Sequence, residues 1–270
     1  MIKFVKNQLK HRKSISDNVT YPMFCLDASD NDDIFYNFRN NDIYKNILEH
    51  VEFQVAIKYF DLIKSKYNLS EVEIFDKVKI LNTVGKPELI KISPAIPELS
   101  ATGLRYLYTG LEIKEFIHSN NLNSHNIIEL GCGYGGQSLI LDQLLDINLY
   151  TYVDLHEVNN LIKKFLTNFS FKFKKVHSSL ESNFENNYDF FISNYSFSEL
   201  PRNLQNKALK KIINKSNAGY MIVNSDNFSK NYKFLTIEEY RKLFAKYEII
   251  EENPQTSQKN VNFVYKFINT

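Results

Sequence analysis

Half of the glycines in this 270-residue chain fall in one short window. Four of the eight lie within residues 131–136, directly after an apolar run at 126–130 that has the length and composition of a β-strand. Glycine lets the backbone turn tightly and approach a ligand with no Cβ in the way. Because a turn between a strand and a helix lies at the carboxyl edge of an α/β sheet, where ligands bind, this window predicts a ligand-binding turn.

The pattern after residue 120 predicts an α/β fold built on a parallel sheet. Short β-type runs alternate with helical segments, as in sheets with helical crossovers. The C-terminal part differs, because the runs at 247–250 and 261–267 are joined only by a short polar segment and must pair antiparallel. The other predicted strands cover 149–153, 171–176, 189–193 and 220–224, and the predicted helices cover 136–145, 157–169, 201–216 and 236–245.

The first 120 residues form a different, mainly helical region. Apolar residues at helical spacing predict a helix within 43–67 and another over 101–119. Glycine and proline break the chain between them, at 85–98. We therefore predict two regions, a helical N-terminal region at 1–120 and a ligand-binding domain at 121–270.

Composition excludes several classes of protein. The 33 basic residues nearly balance the 31 acidic ones, so we expect no nucleic-acid partner. The longest apolar run has four residues, and because a spanning helix needs about 20, we expect no integral membrane contact. Cys25 and Cys132 form neither a disulfide framework nor a metal-ligand pattern. We expect a cytoplasmic protein, and a homodimer is an open expectation for its assembly.

The glycine spacing alone fits two classes of cofactor site. Gly131, Gly133 and Gly136 match the dinucleotide pattern G-x-G-x-x-G, whereas Gly131, Gly133 and Gly135 match the G-x-G-x-G of S-adenosylmethionine (SAM) enzymes. Glu129 favours the second class, because a carboxylate at the strand end attracts the cationic methionine end of SAM and repels a pyrophosphate. The antiparallel C-terminal pair also does not belong to a dinucleotide half-domain.

At these residues the sequence resembles the class I SAM-dependent methyltransferases. The matching segments are Glu129–Gly135, with the sequence ELGCGYG, and Asp154 at the end of the second predicted strand. The resemblance implies SAM as the cofactor and a Rossmann-like seven-stranded sheet with a reversed C-terminal strand. It also implies that the helical N-terminal region covers the cofactor and contacts the acceptor.

Several segments resemble, more narrowly, the sugar O-methyltransferases of polysaccharide and glycoside biosynthesis. They are Leu104–Tyr106, the IELGCGYGGQ of 128–137, the YVDL of 152–155 with Glu157, and the SNYSFSEL of 193–200. The likeness covers roughly residues 92–225. Residues 1–90 match no motif, so the acceptor is not identified by them.

The resemblance assigns cofactor contacts to particular residues. Asp154 is expected to accept hydrogen bonds from the ribose hydroxyls, with helix capping as the alternative. Arg105 could pair with the methionine carboxylate or with an acceptor phosphate, and the alternative is a surface ion pair. For the adenine, residues 177–179 remain open, with Ser178 as the chosen position. The full set of predicted cofactor contacts is Glu129, Gly131, Gly133, Tyr134, Gly135, Asp154, Ser178, Asn194 and Arg105.

A second group of residues is predicted to act in the reaction and to contact the acceptor. Glu199 is the first choice as the base that takes the acceptor proton, and His156 is the second. Their alternatives are a favourable charge near a helix N-terminus and a polar helix start. Tyr195, Ser198 and Tyr106 are the predicted acceptor contacts.

We expect the chemistry to be metal-independent. Some O-methyltransferases hold Mg²⁺ with carboxylates after the fourth and fifth strands, since hard cations prefer oxygen ligands. Here Asp226 and Asn227 follow the fifth predicted strand, but the fourth ends in Asn194 instead of an aspartate.

Together the residues and the resemblance predict a SAM-dependent O-methyltransferase. The expected acceptor is a small-molecule or nucleotide-linked sugar, or a surface polysaccharide precursor, methylated on a hydroxyl. Two alternatives stay open, a methyltransferase for another small, phosphorylated glycan-modification acceptor and a non-catalytic partner protein with the same fold.

Overall fold

The computed structural model describes residues 19–224, 234–256 and 261–269. The helices are α1 Thr20–Asp30, α2 Asp32–Phe35, α3 Asp42–Lys45, α4 Phe53–Tyr67, α5 Glu71–Val78, α6 Ala101–Ser119, α7 Gly136–Leu144, α8 His156–Leu166, α9 Ser196–Glu199, α10 Arg202–Lys211 and α11 Ile237–Tyr240. The strands are β1 Leu89–Ile90, β2 Leu99–Ser100, β3 Asn126–Leu130, β4 Leu149–Val153, β5 Lys174–Ser178, β6 Tyr188–Asn194, β7 Ser216–Val223, β8 Lys246–Glu251 and β9 Phe263–Ile268.

Seven strands form one sheet in the order β5-β4-β3-β6-β7-β9-β8. The first five are parallel to one another, and β9 runs antiparallel to both of its neighbours. The predicted Rossmann-like sheet with a reversed C-terminal strand is therefore confirmed. From β3 the chain adds β4 and β5 on one side and then returns to add β6 on the other side of β3, so a crevice opens beyond the carboxyl ends of β3 and β6.

The helix predicted within 43–67 is interrupted, and this corrects the sequence interpretation. Helix α3 ends at Lys45 and α4 begins at Phe53. Between them the carbonyl of Leu48 accepts hydrogen bonds from the side chains of Thr102 (3.4 Å) and Arg105 (3.0 Å). A continuous helix would use that carbonyl internally, so these tertiary bonds favour the break.

Other element boundaries also differ from the predictions, including those of β5, β7 and α11. The third strand covers Lys174–Ser178 and not 171–176, because the rings of Phe171 and Phe173 pack on each other, 4.9 Å apart. Strand β7 begins at Ser216 and not at 220, since the small residues before Tyr220 fit between β6 and β9. The helix predicted over 236–245 is a single turn, capped by Thr236.

The N-terminal helices and the sheet share one hydrophobic core. Buried side chains run without interruption from Phe24 and Tyr44 to Tyr134 and Ile140, on one face of the sheet. A second cluster, including Phe197 and Tyr240, fills the opposite face. The division at 120/121 stays a prediction. Within the described ranges no helix has the length and apolar character needed to span a membrane.

Candidate active site

A cavity of about 750 Å³ opens at the carboxyl edge of the sheet, beside the glycine turn. Its walls come from the ends of β3, β4, β6 and β7, from the segment between α3 and α4, and from the segment between β8 and β9. A second cavity, of about 30 Å³, lies beside the same turn. The two cavities share Leu48, Arg105, Gly131, Gly133, Asn194 and Tyr195.

Backbone geometry requires glycine at two positions of this turn, 131 and 133. Gly131 and Gly133 have φ angles of +78° and +59°, which side-chain-bearing residues rarely adopt. A Cβ on Gly131 would overlap the side chain of Ser196, and a Cβ on Gly133 would crowd Leu48. Gly135 also has a positive φ and lines neither cavity; it precedes the first residue of α7, and its cofactor contact stays a prediction.

The N–H groups of this turn are already bonded within the protein. Gly131 donates to the Val153 carbonyl (2.9 Å), and Gly135 donates to the Cys132 carbonyl (2.9 Å). Cys132 donates to a carboxylate oxygen of Asp154 (2.7 Å). These donors are therefore not available as a cradle for phosphate oxygens.

Asp154 lies at the end of β4, in the wall of the large cavity. Its other carboxylate oxygen accepts from the N–H of Leu155 at 2.8 Å. Burial raises the pKa of Asp154 to about 6, against the opposing effect of its bonds to backbone N–H groups. The side chain thus ties the glycine turn to the end of β4 and still lines the large cavity.

Glu129 and Arg105 line the small cavity together. Glu129 is only 2% exposed and accepts a hydrogen bond from the Tyr150 hydroxyl at 2.8 Å. Burial raises the pKa of Glu129 to about 8. Arg105 is 6% exposed, and its guanidinium donates to the Leu48 carbonyl, but no carboxylate of the described residues pairs with it. A buried acid and an unpaired buried cation therefore lie beside the same glycine turn.

The turn after β6 contributes Asn194 and Tyr195 to both cavities. The Oδ1 atom of Asn194 is buried and has no hydrogen-bond partner among the described residues, and a buried acceptor of that kind indicates a missing donor. Tyr195 has φ +68° and ψ −37°, a strained conformation for a residue with a side chain. Its N–H donates to the Ile222 carbonyl at 2.8 Å.

Both predicted bases line the large cavity. Burial raises the pKa of Glu199 to about 7, and a hydrogen bond from the Asn224 side chain acts in the opposite direction. His156 is exposed at the start of α8. The more enclosed carboxylate of Glu199 is the better placed of the two for a proton transfer near neutral pH.

Several predicted contacts lie outside the large cavity. The ring of Tyr134 is completely buried, with the Arg39 guanidinium 4.5 Å from its centre, so it packs the core and cannot close over a cofactor. The carbonyl of Ser178 accepts a hydrogen bond from the Asn159 side chain at 2.7 Å, and its neighbour Ser179, not Ser178, lines the large cavity.

Ser198 and Tyr106, two predicted acceptor contacts, also lie outside the large cavity, and their contact with an acceptor stays a prediction. The Ser198 hydroxyl donates to the Tyr195 carbonyl (2.6 Å) and accepts from the Asn224 N–H (2.9 Å), so it closes a turn. Tyr106 is 7% exposed and lines the small cavity but not the large one.

Other cavity residues carried no signal in the sequence. Ile47, Leu48 and His50 come from the interrupted helix, and Thr256 and Asn262 come from the segment between β8 and β9. Burial, followed by the charge of Arg105, lowers the pKa of His50 to about 4. Only the tertiary fold brings these segments to the glycine turn.

The structure leaves the metal prediction open. No group of three or more His, Cys, Asp or Glu side chains in the described residues could hold a metal ion. Asp226 and Asn227 lie outside the described residues. Metal independence stays a prediction.

Comparison with known proteins gives weak structural likenesses. No protein-family model matches the chain, and no curated protein matches it. Solved structures with a similar fold include a SAM-dependent methyltransferase from Clostridium acetobutylicum ATCC 824, with 14% identity and a TM-score of 0.47, covering 59% of this chain and 89% of that one. The magnesium protoporphyrin IX methyltransferase from Synechocystis PCC 6803, solved with bound SAM, has 12% identity and a TM-score of 0.45, with coverages of 78% and 94%.

A third similar structure is the N-methyltransferase NodS from Bradyrhizobium japonicum WM9. It has 12% identity and a TM-score of 0.45, and the match covers 61% of this chain and 97% of that chain. At such low identities and scores, the function has to be inferred from the site itself.

Proposed function

We propose that this protein is a SAM-dependent methyltransferase. The observation that carries the proposal is that Glu129 and Arg105, which are not bonded to each other, both line the small cavity beside the glycine turn. A buried carboxylate and a buried guanidinium are complementary to the ammonium and the carboxylate of an amino-acid tail. The partnerless Oδ1 of Asn194, in the same wall, offers a further acceptor for the ammonium group.

The large cavity supports a nucleoside next to that tail. Asp154 offers a carboxylate for the ribose hydroxyls, and Ser179 and Leu180 line the space beyond the end of β5, where the adenine would lie. A dinucleotide fits the site less well. Its pyrophosphate would meet Glu129 and Asp154, and the turn's N–H groups of Gly131, Cys132 and Gly135 are engaged elsewhere.

The proposed reaction is transfer of the methyl group to a hydroxyl oxygen. SAM supplies a carbon already activated by its sulfonium. The chain has to align the acceptor oxygen and remove its proton, and alignment alone contributes several kcal/mol, about 7–11 kcal/mol at most. Glu199, with its pKa near 7 in the cavity wall, is the proposed base.

A sugar hydroxyl is the proposed acceptor. The sequence likeness to sugar O-methyltransferases supports it, and so does the chemistry of the cavity beyond Tyr195. Neutral amide and hydroxyl side chains line that part together with apolar ones, a mixture that suits the hydroxyls and the C–H faces of a sugar ring. The amide and hydroxyl side chains are those of Asn203, Asn224, Asn262 and Thr256, and the apolar ones are those of Leu200 and Leu204.

Calorimetry with three ligands tests the cofactor. We expect S-adenosylhomocysteine and 5′-methylthioadenosine to bind and NAD not to bind. Because methylthioadenosine lacks the amino-acid tail, Arg105→Gln should weaken binding of S-adenosylhomocysteine about 10–100-fold and leave methylthioadenosine unchanged. Arg202→Gln, which loses an ion pair to Glu239 outside the cavities, is the control. Binding of NAD in place of the SAM derivatives would refute the proposal.

Labelling identifies the acceptor. The enzyme is incubated with methyl-deuterated SAM and a polar extract containing nucleotide sugars and glycan precursors. Mass spectrometry of the labelled products is expected to place the label on a sugar oxygen. Label on a nitrogen, or on an aglycone, would leave a methyltransferase but reject the sugar acceptor.

A further inference from the structure

Tyr195 occupies the position from which an acceptor can be oriented. The reactive methyl of SAM sits on the sulfur that joins the nucleoside to the amino-acid tail. If the nucleoside lies in the large cavity and the tail points from it toward Glu129 and Arg105, then the residues shared by both cavities lie nearest to that sulfur. Among the shared residues, Tyr195 is the only aromatic one.

Contacts to the backbone and to the ring both hold Tyr195 in its conformation. Its backbone is strained, and the strain is maintained by the bond to Ile222 and by the Ser198 hydroxyl and N–H, which donate to the Tyr195 carbonyl at 2.6 and 3.1 Å. A strained residue persists only where its surroundings over-determine it, and such residues concentrate at functional sites. On one side of the ring, the Arg105 guanidinium lies 5.7 Å from the ring centre.

The Tyr195 hydroxyl is anchored to Glu252, which lies 57 residues later in the chain. Glu252 is only 5% exposed and is the centre of a small cluster. Its carboxylate also accepts from the Thr256 N–H (3.2 Å), the Thr256 hydroxyl (2.8 Å) and the Asn262 amide (3.1 Å). We name Tyr195, Glu252, Thr256 and Asn262 the Glu252 cluster.

The cluster connects the reacting end of the cofactor space to the acceptor wall. Tyr195, Thr256 and Asn262 line the large cavity, while Glu252 lies behind them. Hydrogen bonds to a buried carboxylate are stronger than those between neutral groups, so the acid fixes all three wall residues in one arrangement. The Thr256 hydroxyl is 3.1 Å from the Tyr195 hydroxyl, which completes the network.

We propose that Glu252 is a positioning residue that holds Tyr195 as the wall selecting which hydroxyl of the sugar acceptor faces the methyl group. The inference rests on the proposed function and deepens it. The acceptor class is a polyhydroxylated ring whose C–H face packs against the tyrosine. Glu252 takes no part in the proton transfer, and its effect is on the choice of oxygen.

Three variants test the proposal on the acceptor found by labelling. Tyr195→Phe keeps the ring and removes the hydroxyl, Glu252→Gln removes the charge, and the double variant removes both. We expect each single variant to lower kcat/KM for the acceptor about 10²-fold, since small misplacements have effects of that size. The double variant should be no worse than either single one, because both break the same link.

The distribution of positional isomers is the decisive measurement. Wild-type protein should give one methylated isomer, and the variants should give a mixture in which a neighbouring hydroxyl is also methylated. Tyr220→Phe is the matched control, because it breaks a similar buried bond to Glu112 (2.7 Å) that lies outside both cavities. That control should leave the isomer unchanged.

Different results would separate failure of this inference from failure of the proposed function. Unchanged isomers and kcat/KM in the variants, with normal binding of S-adenosylhomocysteine, would overturn the role of the Glu252 cluster alone. Wild-type protein that binds S-adenosylhomocysteine but labels nothing in the extract would overturn the inference together with the sugar acceptor. Absence of binding would overturn the cofactor proposal itself.

Discussion

Three carboxyl groups around the candidate site differ in pKa because their surroundings differ. Burial raises the pKa of Glu129 to about 8, that of Glu199 to about 7 and that of Asp154 to about 6. Asp154 retains the lowest value because it accepts bonds from backbone N–H groups, which favour its charged form. The three acids are therefore suited to different tasks near neutral pH.

Glu129 should make SAM binding depend on pH. A nearby cationic ligand favours the ionised carboxylate, whereas burial favours the protonated one, so binding releases a proton below about pH 8. We expect Glu129→Gln to weaken SAM binding about tenfold at pH 8.5 and much less at pH 6.5. Calorimetry at both pH values measures this difference. Glu112→Gln, a buried acid outside both cavities, is the control; an equal loss at both pH values would contradict the prediction.

Glu199 should control the pH dependence of the chemical step. A base with a pKa near 7 is active when deprotonated, so kcat is expected to rise with pH through about 7. Glu199→Gln should lower kcat about 10²–10⁴-fold and leave binding of S-adenosylhomocysteine intact. Single-turnover rates measure the step directly. Retention of more than about a tenth of the rate would exclude this role, and His156→Gln would then be tested as the alternative.

Sequence reasoning located the cavity residues that lie at the ends of strands. It missed the cavity residues that come from other segments of the chain. Asp154 and Asn194 follow from the strand pattern, because parallel strands end at one edge of the sheet. Thr256 and Glu252 could not be predicted, since nothing in their local sequence records that they lie against Tyr195. Tyr134 shows the opposite error, because a residue within a glycine motif can still point into the core.

At the scale of elements, the glycine turn and the start of α9 fit each other without room for a methyl group. The turn carries the positive φ of Gly131, and Ser196, the first residue of α9, fills the space beside its Cα. The two elements follow the adjacent strands β3 and β6, so this contact sets the width of the crevice between them.

Gly131→Ala should therefore damage both stability and binding. Its backbone would be strained by about 1–2 kcal/mol, and the added methyl would push Ser196 outward. We expect a lower Tm and loss of binding of S-adenosylhomocysteine. The double variant with Ser196→Gly removes the overlap and leaves the strain, so it should recover part of the Tm. Unchanged thermal melting and calorimetry for the single variant would contradict the close fit.

The type and order of most elements could be predicted, but some boundaries could not. The antiparallel C-terminal pair followed from the short connection between its strands, and α6 was predicted with its observed limits. The break between α3 and α4 was missed because the apolar spacing continues through it. The bonds from Thr102 and Arg105 to Leu48 that favour the break come from a distant helix, which periodicity cannot show.

For the whole molecule, the acids of the site reduce stability in the absence of a ligand. Between the unfolded pKa values near 4 and the folded values of about 6–8, the native state binds more protons than the unfolded chain. The free energy of unfolding therefore falls as the pH rises through that interval. His50 and His177, whose pKa values burial lowers to about 4, act in the opposite direction below about pH 6.5.

Thermal melting should reveal this effect above pH 6.5, where the acids dominate. We expect the Tm without ligand to fall by about 5 °C between pH 6.5 and pH 8.5, and Glu129→Gln to remove most of that decrease. Added SAM should raise the Tm most at the higher pH, because it stabilises the ionised acids. A Tm that rises over this interval would refute the assignment of raised pKa values.

The continuous core has a consequence for how this protein can be divided. Lys164, on α8, donates to the Ala28 carbonyl of α1 and pairs with Asp32, while Arg39 lies against Tyr134. Excising the first hundred residues would remove the aromatic side chains that cover one face of the seven-stranded sheet. The shortened polypeptide would expose a large apolar surface and aggregate. The two parts therefore have to be encoded and expressed as one chain.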